Sequence, residues 1–198
     1  FWPSGALDRD KRVRVATFRG GPGRSTPVDR YPLFNTEQAS TTRIQLSFGC
    51  PSTCSFCFEG WEHKPYREIP KAAILENARS LARNTGANTL ELYSFNFNAH
   101  TDASELILEL NRIFERVNMM SQRADLLVTT PGLLELELAA EKNSFTLGVE
   151  GISGGMRAYY SKGLTDKLLN RLLERLLGFR IRELKLFYIL TGVETEAD

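Results

Sequence analysis

Cysteine and histidine are scarce in this chain: its 198 residues include three of the first and two of the second. A small, odd number of thiols excludes a disulfide-stapled scaffold. Neither charge sign dominates, with 25 Lys and Arg against 24 Asp and Glu, so composition points to neither an acidic tail nor a nucleic-acid-binding face. Long apolar runs are missing as well. Nothing approaches the roughly 18 consecutive apolar residues that a membrane helix needs. The opening FWPSGALDRDKRVRV does not have the basic-then-apolar order of a secretory signal. The expected compartment is the cytoplasm, with no membrane partner. At 42% apolar and 25% charged residues, the chain is globular in composition, which excludes disorder and collagen-like repeats.

The three thiols are concentrated. Cys50, Cys54 and Cys57 fall within eight residues, in RIQLSFGCPSTCSFCFEGW, a short β-type run leading into C-x-x-x-C-x-x-C. Three chemistries compete for such a cluster. A C-x-x-C redox couple would use Cys54 and Cys57 and leave Cys50 without a role. A structural zinc site needs a fourth ligand, and His63 could supply it in a Cys3His arrangement, making the chain a zinc-stabilised binding module. A four-iron cluster on three thiolates leaves one iron with a vacant position, suited to chemistry at the metal rather than to electron storage.

The spacing and flanks resemble the radical S-adenosylmethionine (SAM) superfamily. That resemblance implies a [4Fe–4S] cluster on Cys50, Cys54 and Cys57, with SAM chelating the open iron and Phe56 lying beside the adenine. It also implies an external one-electron reductant of the flavodoxin or ferredoxin type, and an α/β fold that is a full or partial (β/α) barrel with its site at the carboxyl ends of the strands.

The rest of the sequence alternates accordingly. A helix is expected over 71–85, where Ile74, Ala78, Leu81 and Ala82 share a face. A strand is expected over 89–95. Asp102 and Glu105 form a capping-box signature opening a helix that carries Leu106, Leu110, Ile113, Phe114 and Val117. ADLLVTT, 124–130, reads as a third strand, with Thr130 and Pro131 starting the next helix. A fourth strand spans 144–151. The helix after it runs from about Thr165 to Leu177, and Gly178 ends it as a residue beyond the cap. ELKLFYIL, 183–190, is a fifth strand, apolar enough to be buried on both faces. Connections too long for hairpins make these strands parallel. Residues 1–40, rich in Gly, Pro and Arg, read as an extended lead-in or linker, and 41–198 as the core domain, C-terminally incomplete at about five strands. The open edge of the fifth strand is expected to favour self-association.

Strand ends nominate the remaining site residues. After the second strand come Ser94, Asn96 and Asn98, where the superfamily often has a G-G-E-like motif that binds the SAM amino group; that motif is absent, and Ser94, Asn96 or Asn98 is its candidate replacement. The fourth strand ends at Glu150 in GVEGISGGMRAYYSKGLT, similar to the G-x-E-S-G-S…K-G-x-T pattern of the branch with cobalamin-binding methyltransferases and methylthiotransferases. Gly148, Glu150, Ser153, Lys162, Gly163 and Thr165 carry the match, whereas Gly151 departs from it. By this resemblance Glu150 and Ser153 bind SAM, and cobalamin on a domain outside this chain is a further cofactor. Leu190, before Gly192, stands where the superfamily packs an apolar residue on adenine. His100 has two readings, a substrate or cobalamin contact and an ordinary loop residue. The substrate is not encoded in any of these motifs.

Overall fold

The computed structural model describes residues 40–196 and 198; the expected lead-in, apart from Ser40, lies outside the described residues. Five strands form the parallel framework. Three are β1 (Thr41–Gln45), β4 (Thr89–Tyr93) and β5 (Arg116–Met119), hydrogen-bonded in the order β1-β4-β5. The other two are β6 (Ser144–Glu150) and β7 (Glu183–Tyr188), paired in parallel. A small antiparallel ladder of β2 (Ser47–Phe48) with β3 (Arg67–Glu68) stands apart from both sheets. The architecture is the expected α/β one, an incomplete barrel of parallel strands flanked by helices.

Parallel register decides where chemistry can sit. Thr41 pairs with Thr89 and Gln45 with Tyr93, while Thr89 pairs with Arg116 and Leu92 with Met119. The strand ends Gln45, Tyr93 and Met119 therefore share one rim. Crossover helices cover the outside: α2 (Lys71–Thr85), α3 (Ala103–Leu110), α4 (Ala124–Thr129), α5 (Leu133–Ala139) and α7 (Asp166–Leu177). Their apolar faces meet the strands in one core that includes Ile74, Leu90, Leu110, Leu127, Phe145 and Leu172, all fully buried. Burial of side chains of this size contributes about 1.5–3 kcal/mol each before ordering costs are counted.

The third strand is not where periodicity placed it. ADLLVTT forms α4 and not a strand, with Ala124, Leu127 and Val128 buried. A short apolar run suits either state, and Asp125 in the first turn fits a helix. The true third strand, RVNM, is polar at Arg116 and Asn118 and buries only Val117 and Met119. It offered too little apolar signal to be recognised as a strand. The preceding helix accordingly stops at Leu110, seven residues before the Val117 assigned to it. Its capping box does not form either: Asp102 makes no cap hydrogen bond and, with Glu105, pairs with Lys71. Thr130 caps the end of α4, and Gly132, at φ +73°, starts α5. Thr165, expected as the start of the helix, is the N-cap of α7, its side chain accepting from the Leu168 amide, whereas Gly178 is the C-cap residue at a helical φ of −69°.

No ladder joins β5 to β6 among the described residues. A buried polar group bridges them instead. Lys142 Nζ donates to the Met119 carbonyl at 2.9 Å and to Glu137 at 2.8 Å, and it lies over the Phe97 and Phe145 rings. Gln122, its amide oriented to donate to Glu137 at 2.7 Å and accept from Lys142 at 3.0 Å, completes the network. Burial pushes the Glu137 carboxyl up and the Lys142 ammonium down, each opposed by its partner's charge.

Lys142→Met leaves Glu137 buried without its cation, so stability at pH 7 should fall by about 3–5 kcal/mol in urea unfolding. Burial then acts on Glu137 against the Gln122 hydrogen bond alone, and its folded pKa rises further above the unfolded value. The deficit should shrink below about pH 4, where the carboxyl is neutral in both states, and return as pH rises through the folded pKa. Adding Glu137→Leu should recover most of the loss; a pH-independent deficit would show that the charge is not its cause.

Candidate functional site

The cysteine loop is held at both ends. The β2–β3 pair brings Phe48 opposite Arg67, closing residues 49–66 into a compact excursion from the rim. Gly49 makes that closure possible. Its φ is +73°, and a Cβ there would lie 2.0 Å from the His63 carbonyl oxygen, so an L side chain is excluded on two counts. Inside the loop, Cys57 N–H donates to the Cys54 carbonyl at 3.1 Å, and Trp61 Nε1 donates to the same carbonyl at 3.0 Å. Lys64 Nζ donates to the carbonyls of Cys50 and Ser52. Ser55 N–H reaches the Tyr160 carbonyl at 3.0 Å, and Phe56 meets the Tyr160 ring edge-on at 5.6 Å.

Every one of the three sulfurs accepts an N–H. Asn96 Nδ2 lies 3.1 Å from Cys50 Sγ, Arg123 Nη1 lies 3.4 Å from Cys54 Sγ, and the Gly60 amide lies 3.3 Å from Cys57 Sγ. Among the described residues no three His, Cys, Asp or Glu side chains gather closely enough to close on one ion. A tetrahedral zinc with Zn–S bonds of about 2.3 Å needs such convergence. A four-iron cluster distributes its three thiolates over different irons and asks for wider spacing. His63 is engaged elsewhere, with Nε2 2.9 Å from Glu59 and its ring against Phe95.

The sulfurs open onto a cavity of about 680 Å³, which Phe56, Asn96, Arg123 and Glu150 also line. Glu150 reaches it through an irregular backbone. The β6–β7 register shifts between Gly148 and Glu150, and Glu150 itself has a φ of +69°. This conformation is rare for a residue with a side chain and is typical of functional sites. A Cβ at Gly148 would lie 2.0 Å from Glu150 Oε1, so the glycine leaves the space that the carboxylate occupies. Lys162 Nζ approaches the same oxygen at 3.2 Å, and both side chains are largely buried.

The other expected site residues lie off the cavity lining. Ser94 Oγ is buried without a hydrogen-bond partner. Ser153 caps α6 (Gly154–Tyr159), accepting from the Met156 amide at 3.0 Å and donating to Asp198 at 2.5 Å. Leu190 is 76% exposed beyond β7. In the turn after it, Glu194 accepts from the Thr191 and Gly192 amides at 2.9 and 2.6 Å, and these bonds, the Thr191 amide foremost, hold its carboxyl down at about 2. His100 is buried, with Nε2 2.9 Å from the Ile69 carbonyl and Nδ1 accepting the Asp102 amide at 3.0 Å, so both nitrogens serve the fold. Asn98 exchanges two 2.9 Å hydrogen bonds with the Arg123 backbone.

Sequence reasoning missed Arg123. Once β5 is placed at Arg116–Met119, the following residues Met120 to Arg123 become a strand-end loop, and all four line the cavity. The signal was present in the string MMSQR, but the misplaced strand hid it.

Comparison with known proteins agrees with this geometry. A family profile described as the Radical SAM superfamily matches residues 44–198. No curated protein matches the chain. One solved structure with the same fold is the radical S-adenosylmethionine methyltransferase TsrM from Kitasatospora setae, with cobalamin and a [4Fe-4S] cluster bound, at 18% identity and a TM-score of 0.56. The similarity covers 77% of this chain and 32% of that one. Another is the cobalamin-dependent S-adenosylmethionine radical enzyme OxsB, with aqua-cobalamin and S-adenosylmethionine bound, at 17% identity and a TM-score of 0.59, covering 79% of this chain and 25% of that one. The chain thus spans between a quarter and a third of these neighbours. Among the described residues no helix is long and apolar enough to cross a membrane.

Gly49→Ala should be costly, because it combines a left-handed backbone with a clash against a main-chain oxygen. A loss of at least about 1–3 kcal/mol is expected by thermal unfolding. An unshifted melting curve would mean that the cysteine loop closes in some other way.

Proposed function

The chain belongs to the Radical SAM superfamily, and from that premise we propose that it is the core of an enzyme that cleaves SAM reductively at a [4Fe–4S] cluster. When bound, such a cluster would supply the low-potential electron for cleaving SAM to methionine and a 5′-deoxyadenosyl radical able to take hydrogen from substrate. The observation that carries this reading is the set of three cysteine sulfurs, each accepting an N–H, on one cavity shared with Glu150. Cys50, Cys54 and Cys57 are the cluster ligands in this reading. An external reductant of the flavodoxin or ferredoxin type delivers the electron.

The residues around the cavity divide the remaining work. Phe56, packed on Tyr160, is placed to stack beside adenine. Asn96 already donates to Cys50 through Nδ2, which leaves its Oδ1 to accept from the SAM ammonium. Asn98 cannot compete, since both ends of its amide are committed to Arg123, and Ser94 lies off the cavity lining. Glu150 accepts from the ribose hydroxyls or the ammonium, with Lys162 balancing its charge. Ser153 sets the turn after Glu150 by capping α6. Leu190, exposed beyond β7, lies off the cavity lining as Ser94 does and is given no part in the site. Residues 41–198 form the core unit in this reading, with 1–40 as a lead-in.

The reaction class is methyl transfer or a cobalamin-linked rearrangement, with cobalamin carried by a segment outside this chain. TsrM, a radical SAM methyltransferase, and OxsB, a cobalamin-dependent radical enzyme, support that class; no residue of this core identifies the substrate.

Anaerobic reconstitution with iron and sulfide should give a brown protein with about four irons per chain, and Cys57→Ser should lose the colour. A wild-type protein that stays colourless would sink the proposal.

A further inference from the structure

Arg123 is the charged member of the three N–H donors on the cysteine sulfurs, and its placement is enforced from two directions. Asp125 grips the guanidinium through two parallel bonds, Nε to Oδ1 at 2.9 Å and Nη2 to Oδ2 at 2.8 Å. That bidentate pairing fixes the plane of the fork. It leaves Nη1 directed at Cys54 Sγ, 3.4 Å away. Asn98 fixes the backbone beneath it, donating to the Arg123 carbonyl and accepting from the Arg123 amide, each at 2.9 Å. The Arg123 side chain is 8% exposed, so water screens the charge poorly. Burial works against the guanidinium's charge, but the hydrogen bond and charge of Asp125, and then of Cys54, outweigh it and hold the group above its ordinary value.

We propose that Arg123 sets the reduction potential of the cluster held by Cys50, Cys54 and Cys57, and that Asp125 and Asn98 act as its positioning residues. This rests on the cluster assignment made above. One-electron reduction adds one negative charge to the cluster and its sulfurs and makes or breaks no bond. A fixed cation hydrogen-bonded to a ligand sulfur stabilises the reduced form more than the oxidised form. Arg123 therefore raises the potential toward the range that an external flavodoxin- or ferredoxin-type donor can reach. The neutral donors on Cys50 and Cys57, a side-chain amide and a backbone amide, act in the same sense with smaller charge.

The test is a potentiometric titration of the reconstituted protein without SAM, followed by EPR of the reduced cluster. Arg123→Gln, with iron content unchanged, should lower the equilibrium constant for reduction about tenfold, which is 59 mV for one electron. Arg123→Lys keeps the charge and should recover most of that shift. A potential in Arg123→Gln equal to wild type would overturn the inference. Should the Gln variant fail to take up iron, the wild-type protein decides: labelled with [15N]arginine, its reduced cluster should show a 15N hyperfine coupling in pulsed EPR. No arginine coupling would overturn the inference without any variant. A wild-type protein that takes up no iron removes both this inference and the cluster assignment, whereas a normal cluster indifferent to residue 123 removes this inference alone.

Discussion

Three cysteine sulfurs brought to one cavity, each accepting an N–H, are the constraint around which the described structure is arranged. Each donor is supplied by a different part of the chain: the loop after β4, the loop after β5, and the first turn of α1 (Phe58–Glu62). The cysteine loop is therefore tied to the parallel sheet through its sulfurs as well as through its backbone. Parallel register serves the same end. It puts the ends of β1, β4 and β5 on one rim, so that side chains distant in sequence can meet around the cysteine loop. Cys50 and Asn96 are 46 residues apart, and Cys54 and Arg123 are 69 apart.

The cavity has a second pole at Glu150. There the chain accepts unfavourable local terms, a left-handed backbone at a residue with a side chain and a break in the β6–β7 ladder, to hold a carboxylate over Gly148. A strand that only needed to pack would not require either. Phe56 and Asn96 line the same space, so it offers thiols, an aromatic ring, an amide and a carboxylate to one ligand. That combination suits a ligand carrying an ammonium, hydroxyls and a flat aromatic ring, as SAM does.

The sequence disclosed the elements whose signals are local. The C-x-x-x-C-x-x-C run, the helix Lys71–Thr85, the strand ending at Glu150 and the helix starting near Thr165 are each written in a few adjacent residues with one physical reading. What was not legible depended on tertiary context. Arg116–Met119 is a strand because it lies against β4, since its own composition is half polar. ADLLVTT is a helix because α4 packs its apolar side into the core, although seven residues of that kind read equally well as a strand. That single exchange hid Arg123, because a residue is recognised as strand-end only when the strand is correctly placed. The capping box failed for a related reason: Lys71, on another helix, attracts Asp102 and Glu105 more effectively than the helix's own amides do.

At the centre of the proposed function, the three thiols hold a four-iron cluster with one iron left open for SAM beside Asn96 and Glu150. Mössbauer spectroscopy of 57Fe-reconstituted protein addresses it most directly. The account predicts that adding SAM changes the isomer shift of about one iron in four while the other three stay as they were, and that the change is weakened in Glu150→Gln. Four irons with spectra identical with and without SAM would contradict it.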